Sequence, residues 1–386
     1  MAYSIDTQFV SYMPGTNKNL MTEDNFTKPT ETHSGLTEMA DAQGKRLSIS
    51  LLIPCYNEET SLEASIISCL NQTRPFDQLV FVDDSSKDRT PEILAEFANR
   101  ITVVRTPRNT GNKSSAQEYG LQFVTGEILV TTDADTMLHP RFVEEIEKNF
   151  EDPEIAAVAG YVNSLPYNWL TLCRAFYYVV GQNLHKVAQN YLNYIFVMPG
   201  AASAFNTKMF REFCTFDHDT ITEDLDFTYK LHRNDLKIVY NQNAISYTQD
   251  PTTLHNYSHQ MRRWYSGGWQ NLLKHVSVTR HPIRALELSL IYIEGIVFST
   301  LLLVTPFINL YLSLAIMAGY MLVVMVFAVW AAWVSGRTSI LWAPVPYLFL
   351  IYVNAYLFME TFIKEVIVGR KTLIWFKPDR VEMSAQ

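Results

Sequence analysis

Residues 127–135 read Glu-Ile-Leu-Val-Thr-Thr-Asp-Ala-Asp, an apolar run that ends in two carboxylates one residue apart. Ile, Leu, Val and Thr over 127–132 have the content of a buried strand, and the run stops at Asp133. Three similar runs precede it, at 47–54, 79–82 and 101–104. Between them lie stretches with helical spacing of apolar residues, at 59–70, 91–99 and 114–124, with Pro91 placed for a first helical turn. Strand and helix in strict alternation predict an α/β fold, a mostly parallel sheet with helices on both faces. Ligands of such sheets bind beyond the carboxyl ends of the strands. Asn57, Asp83, Asp84, Asp133 and Asp135 all fall at predicted strand ends, so one crevice gathers them.

The residue types at that crevice carry chemistry. Asp133 and Asp135 can hold Mg²⁺ or Mn²⁺ together with substrate phosphate oxygens, and a ribose hydroxyl beside them. Asp84 can accept from a nucleobase N–H, while Asp88-Arg89-Thr90-Pro91 reads as a helix cap. Lys113, after Asn109-Thr110-Gly111-Asn112, can reach a phosphate or stand on a surface loop. Further on, Thr222-Glu223-Asp224 opens a helix, with Thr222 as its expected N-cap and acids in its first turn. A carboxylate there can also act as general base towards a hydroxyl. The stretch Gln260-Met261-Arg262-Arg263-Trp264 offers a guanidinium fork for a pyrophosphate and an indole face for a sugar ring. It equally suits an amphipathic helix at a membrane surface. His139, His185 and His232 show no ligand pairing and read as structural.

Composition sets the bounds. The chain has 386 residues and a formal net charge of -8, which excludes bulk nucleic-acid binding. Four cysteines, Cys55, Cys69, Cys173 and Cys214, lack C-x-x-C spacing and read as reduced thiols. Residues 1–45 are polar and aperiodic, the pattern of a flexible tail without a secretory signal. Apolar segments at 286–305, 307–333 and 340–359 follow the sheet-forming part, and residues 295–336 contain no Asp, Glu, Lys or Arg. The expected organisation is a polar tail (1–45), a cytosolic sheet domain (46–276), interfacial and transmembrane helices with two to three crossings (277–363) and a basic tail (364–386).

Ile53-Pro54-Cys55-Tyr56-Asn57-Glu58, Val82-Asp83-Asp84-Ser85, Asp133-Ala134-Asp135, Thr222-Glu223-Asp224 and Gln260-x-x-Arg263-Trp264 stand in an order that resembles the processive family 2 glycosyltransferases. These are the cellulose, chitin, hyaluronan and poly-N-acetylglucosamine synthases. Tyr229-Lys230-Leu231-His232, Arg263-Trp264-Tyr265-Ser266-Gly267-Gly268 and Trp375 before Pro378-Asp379-Arg380 look most like the poly-β-1,6-N-acetylglucosamine synthases. The resemblance implies a GT-A fold, a UDP-sugar donor, a Mg²⁺ or Mn²⁺ cofactor and inversion to a β-linkage. It implies Asp224 as base beside Glu223, and Asp135 with Asp133 at the metal. Pro54, Tyr56, Asn57, Glu58, Asp84, Lys113, Asp133, Gln260 and Arg263 would hold the nucleotide sugar. Trp264, Gly200 and Ala201 would face the acceptor, with Pro199 and Ala202 along its path. Two departures stand out: Asn112 separates Gly111 from Lys113, and a polar stretch occupies the start where relatives usually carry transmembrane helices.

The expected function is a membrane-bound inverting glycosyltransferase that extends a polysaccharide or oligosaccharide acceptor from UDP-N-acetylglucosamine, with an accessory export subunit as a partner. Transfer of one sugar to a lipid phosphate is the alternative enzyme, and a non-catalytic nucleotide-sugar-binding subunit the alternative outside enzymology. Three crossings from a cytosolic domain would place the basic tail outside, against the positive-inside tendency. The reading that relieves this conflict makes the first apolar segment interfacial, after an amphipathic stretch at 271–284.

Overall fold

The computed structural model describes residues 46–373. The polar tail 1–45 lies outside the described residues, as does the end of the basic tail with Trp375 and Pro378-Asp379-Arg380. The first half follows the alternation: β1 (Ile49–Cys55), α1 (Leu62–Leu70), β2 (Gln78–Asp83), α2 (Thr90–Glu96), β3 (Thr102–Arg105), α3 (Lys113–Leu121) and β4 (Ile128–Thr131). These strands pair in parallel in the order β3-β2-β1-β4, with Leu51 opposite Leu79 on one side and Val130 on the other. Alternate residues of β1 enter separate cores. Ile49, Leu51 and Ile53 pack beneath α1, while Leu52 joins Val80 and Val82 under α3. Helix α3 lies close because Gly120 has no Cβ, which would otherwise run into Leu52 and Val82.

The second half completes the sheet with β5 (Thr136–Leu138), α4 (Phe142–Asn149), β6 (Ile155–Ser164), α5 (Trp169–Val180), α6 (Lys186–Tyr191), β7 (Ser203–Asn206), α7 (Thr207–Phe213), α8 (Glu223–Arg233), β8 (Lys237–Thr248) and α9 (Leu254–Lys274). The full order is β3-β2-β1-β4-β7-β6-β8-β5. Strand β7 runs antiparallel to both β4 and β6, and β5 runs antiparallel to β8. The parallel half therefore matches the pattern read from sequence, and the added half is mixed.

Three apolar helices follow: α10 (Pro282–Ile308), α11 (Leu310–Ser335) and α12 (Pro344–Phe362). Each is long and apolar enough to cross a membrane. The boundary between the first two falls at Asn309, not near residue 306. Asn309 takes an extended backbone, ends α10, and caps α11 by accepting from the Leu312 amide at 3.0 Å. The expected amphipathic stretch 271–284 is divided among the end of α9, a 3₁₀ turn at Val276–Arg280 and the start of α10.

Candidate active site

A cavity of about 1180 Å³ opens at the carboxyl ends of β1, β2 and β4 and continues between α9 and the three apolar helices. It is lined by Pro54 near the end of β1 and by Tyr56 and Glu58 after it, by Asp84 after β2, and by Asp133 and Asp135 after β4. Lys113, Pro199, Gly200, Ala201, Glu223, Asp224, Gln260, Arg263 and Trp264 complete the expected set. Asn57 and Ala202 do not line it. Asn57 sits in the left-handed region (φ 54) and couples two loops: its amide donates to Ser86 Oγ and its Oδ1 accepts from the Lys87 amide.

Four elements meet at Gly200. Lys113, the first residue of α3, reaches across to Asp133 at 2.5 Å and to Glu223 at 3.1 Å. A Cβ on Gly200 would lie 2.8 Å from Lys113 Nζ, 3.7 Å from Asp224 Oδ2 and 3.8 Å from Asp133 Oδ2. Glycine is thus the residue that lets the loop before β7 close over two carboxylates and a cation. Burial opposes the charge on Lys113, but Asp133 and Glu223 outweigh it and hold the ammonium protonated. Asp224 goes the other way. Burial and the Glu223 charge push its carboxyl up to about 6, against the pull of Lys113 and Arg263. One oxygen, Oδ1, accepts from the Leu225 amide at 2.8 Å, and the other faces Gly200.

The structure differs from the sequence reading in the way several residues are held. Thr222 does occupy the N-cap position of α8, but its side chain makes no cap. Its hydroxyl and carbonyl accept from Asn271 Nδ2 at 3.0 and 3.2 Å, and Gly267 leaves the room for that contact. Helix α9 is thereby locked to the start of α8. Asp84 is buried and its carboxylate is engaged by its own neighbourhood, accepting from Thr106, Asn109 and Thr110 at 2.8–3.1 Å. It shapes the loop that leads to Lys113. Within the Gln260–Trp264 stretch, the two arginines separate: Arg263 lines the cavity, whereas Arg262 donates to Glu360 on α12 at 2.9 Å. Gln260 Oε1 is buried there with no hydrogen-bond partner.

Two residues escaped the sequence reading. Arg174 of α5 is 3% exposed, pairs with Asp250 at 3.0 Å and lies 4.7 Å over the Trp264 ring. One face of the indole is thus already covered by a guanidinium. The signal was a lone charge inside the apolar helix Trp169–Val180, which demands a buried partner. Lys186 of α6 also lines the cavity and donates to the Val197 carbonyl at 2.5 Å. Burial draws its ammonium down to about 7, with the Asp224 charge pulling back.

Asp133 and Asp135 offer the hard oxygen donors that Mg²⁺ or Mn²⁺ takes, and both line the open cavity, so these residues fit a divalent ion. A second carboxylate group, Asp217, Asp219 and Asp226, does not, because the Lys274 ammonium sits among them at 2.6–2.8 Å.

Residues 50–213 match the family described as Glycosyl transferase family 2. The chain is 27% identical over 241 residues to a poly-beta-1,6-N-acetyl-D-glucosamine synthase of Staphylococcus epidermidis, covering 58% of this chain and 56% of the relative. It is 25% identical over the same length to the Staphylococcus aureus (strain COL) protein of that name. The chain therefore spans little more than half the length of these curated relatives. Among solved structures, the mannosyltransferase PcManGT from Pyrobaculum calidifontis, in complex with GDP-Man and Mn²⁺, superposes with a TM-score of 0.55 at 20% identity, over 84% of this chain and 91% of that one. That likeness establishes the GT-A fold of the sheet and its helices.

Proposed function

We propose that this chain, which carries a glycosyl transferase family 2 domain, transfers a sugar from a UDP-sugar to a growing β-linked polysaccharide at a membrane. The relatives named as poly-N-acetylglucosamine synthases make N-acetylglucosamine the sugar to test first. The observation that carries the reading is the convergence at Gly200 of a half-buried base, Asp224, with Lys113 and Asp133, in a cavity that Arg263 also lines.

The acceptor hydroxyl gives its proton to Asp224, whose Oδ2 is the oxygen turned to the cavity. The freed oxygen forms a bond to the anomeric carbon from the face opposite the leaving group, so configuration inverts. The bond from that carbon to the β-phosphate oxygen breaks, and the electron pair leaves on UDP. Arg263, with Gln260 beside it, neutralises the charge that develops on the diphosphate. Lys113 keeps Asp133 and Glu223 in place and stays protonated throughout. Asp135 and Asp133 would hold Mg²⁺ or Mn²⁺, which supplies Lewis-acid stabilisation of the diphosphate when bound. Asp84, Pro54, Tyr56 and Glu58 form the nucleotide side of the cavity, and Trp264, Gly200 and Ala201 the acceptor side. The sheet part faces the cytosolic UDP-sugar pool, and an export subunit is a partner to seek.

The continuation of the cavity beyond Trp264 among Phe298, Leu350 and Phe358 equally suits the tail of a lipid-phosphate acceptor that takes a single sugar. Product length separates the two readings. Membranes carrying the protein are incubated with labelled UDP-N-acetylglucosamine and Mg²⁺, and the product is sized and digested with linkage-specific hydrolases. A polymer is expected, lost on chelation and restored by Mg²⁺ or Mn²⁺. Asp224→Asn should lower the rate by roughly 10²–10⁴-fold while donor binding persists. Near-normal synthesis by that variant would remove Asp224 as the base.

A further inference from the structure

One face of the segment formed by α5 and α6 turns to the cavity at steps of four residues: Arg174, Tyr178, Gln182 and Lys186 all line it. Four residues carry an α-helix about 40° past a full turn, so such a row drifts off one face. A π-turn at Gly181–His185 joins the two helices here. Its i→i+5 bonds put more residues into one turn and take the drift back. The row therefore keeps to the cavity from α5 into α6. It begins at the Trp264 ring, over which Arg174 lies, and ends at Lys186, within reach of the Asp224 charge.

The first two members of the row are spent on the fold. Arg174 pairs with Asp250 and donates to the Tyr178 hydroxyl at 3.4 Å. The last two are not. Gln182 is 5% exposed, and its Oε1 is buried with no hydrogen-bond partner. A buried acceptor left without a donor costs stability, so this one fits a donor brought by a ligand. Lys186 gives one N–H to the Val197 carbonyl, and its remaining donors meet no acceptor among the described residues. Gln189, one turn further along, is by contrast engaged, with the Phe196 amide and with Glu287. Room for a ligand group is present: a Cβ added at Gly181 would meet nothing within 4 Å. Val197 lines the cavity beside Lys186 and is half-buried.

We propose that Gln182 and Lys186 form the subsite that recognises the acetamido group of the acceptor sugar. Oε1 of Gln182 accepts from the acetamido N–H, Nζ of Lys186 donates to its carbonyl, and the methyl group lies against Val197. The terminal torsion of a glutamine is broad, so its amide can turn Oε1 to the cavity. A secondary amide with its methyl offers one donor, one acceptor and one apolar group, and these three neighbours answer each of them. A hydroxyl at the same carbon brings no methyl. A free amine brings no acceptor for Lys186 and meets its charge with a like one. The row starts at Trp264, on the acceptor side of the cavity, which places the group on the acceptor and not on the donor. The assignment rests on the proposed transfer to a polysaccharide and adds what selects its acceptor.

The full-length protein in membranes is given UDP-N-acetylglucosamine, Mg²⁺ and one of three β-1,6-linked oligosaccharides, built of N-acetylglucosamine, glucosamine or glucose. Transfer is followed as kcat/KM for the acceptor. The wild-type protein should favour the acetylated acceptor by at least about 10-fold over each of the others, since its acetamido group satisfies two polar groups at once. Equal use of the three overturns the inference and leaves the glycosyltransferase reading standing, whereas transfer to none removes both. Gln182→Leu should shrink the preference by about 3- to 10-fold, the worth of one neutral hydrogen bond, mainly through the acceptor KM. Its thermal midpoint should not fall, because no described residue bonds the Oε1 that it loses. An unchanged preference in that variant, or a lower midpoint with the same loss on all three acceptors, would make Gln182 structural and overturn the assignment.

Discussion

Replacing Gly200 by alanine tests whether the close meeting of Lys113, Asp133 and Asp224 matters for turnover. The glycine is not in the left-handed region, so alanine meets no backbone penalty there. Its Cβ would nevertheless lie 2.8 Å from Lys113 Nζ, whereas ordinary contact begins at 3.4 Å. The ammonium must retreat by about 0.6 Å, the difference of those two distances, and it can do so only by loosening its bonds to Asp133 and Glu223 at 2.5 and 3.1 Å. The Cβ also comes within 3.7 Å of Asp224 Oδ2, the oxygen that would take the proton. Misplacing a reacting group by about 1 Å costs on the order of 10²-fold. A shift of this size should therefore lower turnover by about 10- to 100-fold, or about 1.4–2.8 kcal/mol of barrier. The assay is UDP release from UDP-N-acetylglucosamine by Gly200→Ala, Lys113→Ala and the double variant, with thermal unfolding as a control. The Gly200→Ala penalty should shrink in the Lys113→Ala background, because the group it displaces is gone. Undiminished turnover by Gly200→Ala, or an equal penalty in both backgrounds, would refute the argument.

Other tests follow from the same geometry. The base must be deprotonated, so activity should rise with pH through about 6, the value to which burial and Glu223 push Asp224. At one unit below, about one-tenth of the carboxyl is ionised. Glu223→Gln should move that limb to lower pH and Arg263→Gln to higher pH; limbs that do not move would show that another group titrates. Because the folded carboxyl is raised above its ordinary value of 3.8, its contribution to stability is present at acid pH and lost as pH rises through about 6. Arg174→Met should destabilise the fold by about 3–5 kcal/mol, since it leaves the buried Asp250 carboxylate without its counter-charge. An unchanged unfolding midpoint would contradict this.

Legibility differed residue by residue. Asp133 and Asp135 were found because a strand's apolar pattern and its polar end are local properties. The mixed half of the sheet was not, because the direction in which β7 pairs with β4 depends on a crossover that no short window records. Thr222 carried the right residue type for a cap, yet a helix distant in sequence offered its oxygen atoms a better donor in Asn271. Arg174 left a visible anomaly in an apolar helix, but its partners, Asp250 and Trp264, are 76 and 90 positions away.

By itself the sequence determined the alternating α/β core, the carboxylates at its strand ends and the presence of three apolar segments, all consequences of periodicity and residue chemistry over short windows. Only the tertiary structure decided that Lys113 reaches Asp133 and Glu223, that Arg174 covers Trp264, and that α12 rests along α9. The reason is physical: apolarity tells a segment to leave water, but the partners of Asn354, Glu360 and Glu365 dictate which way it lies.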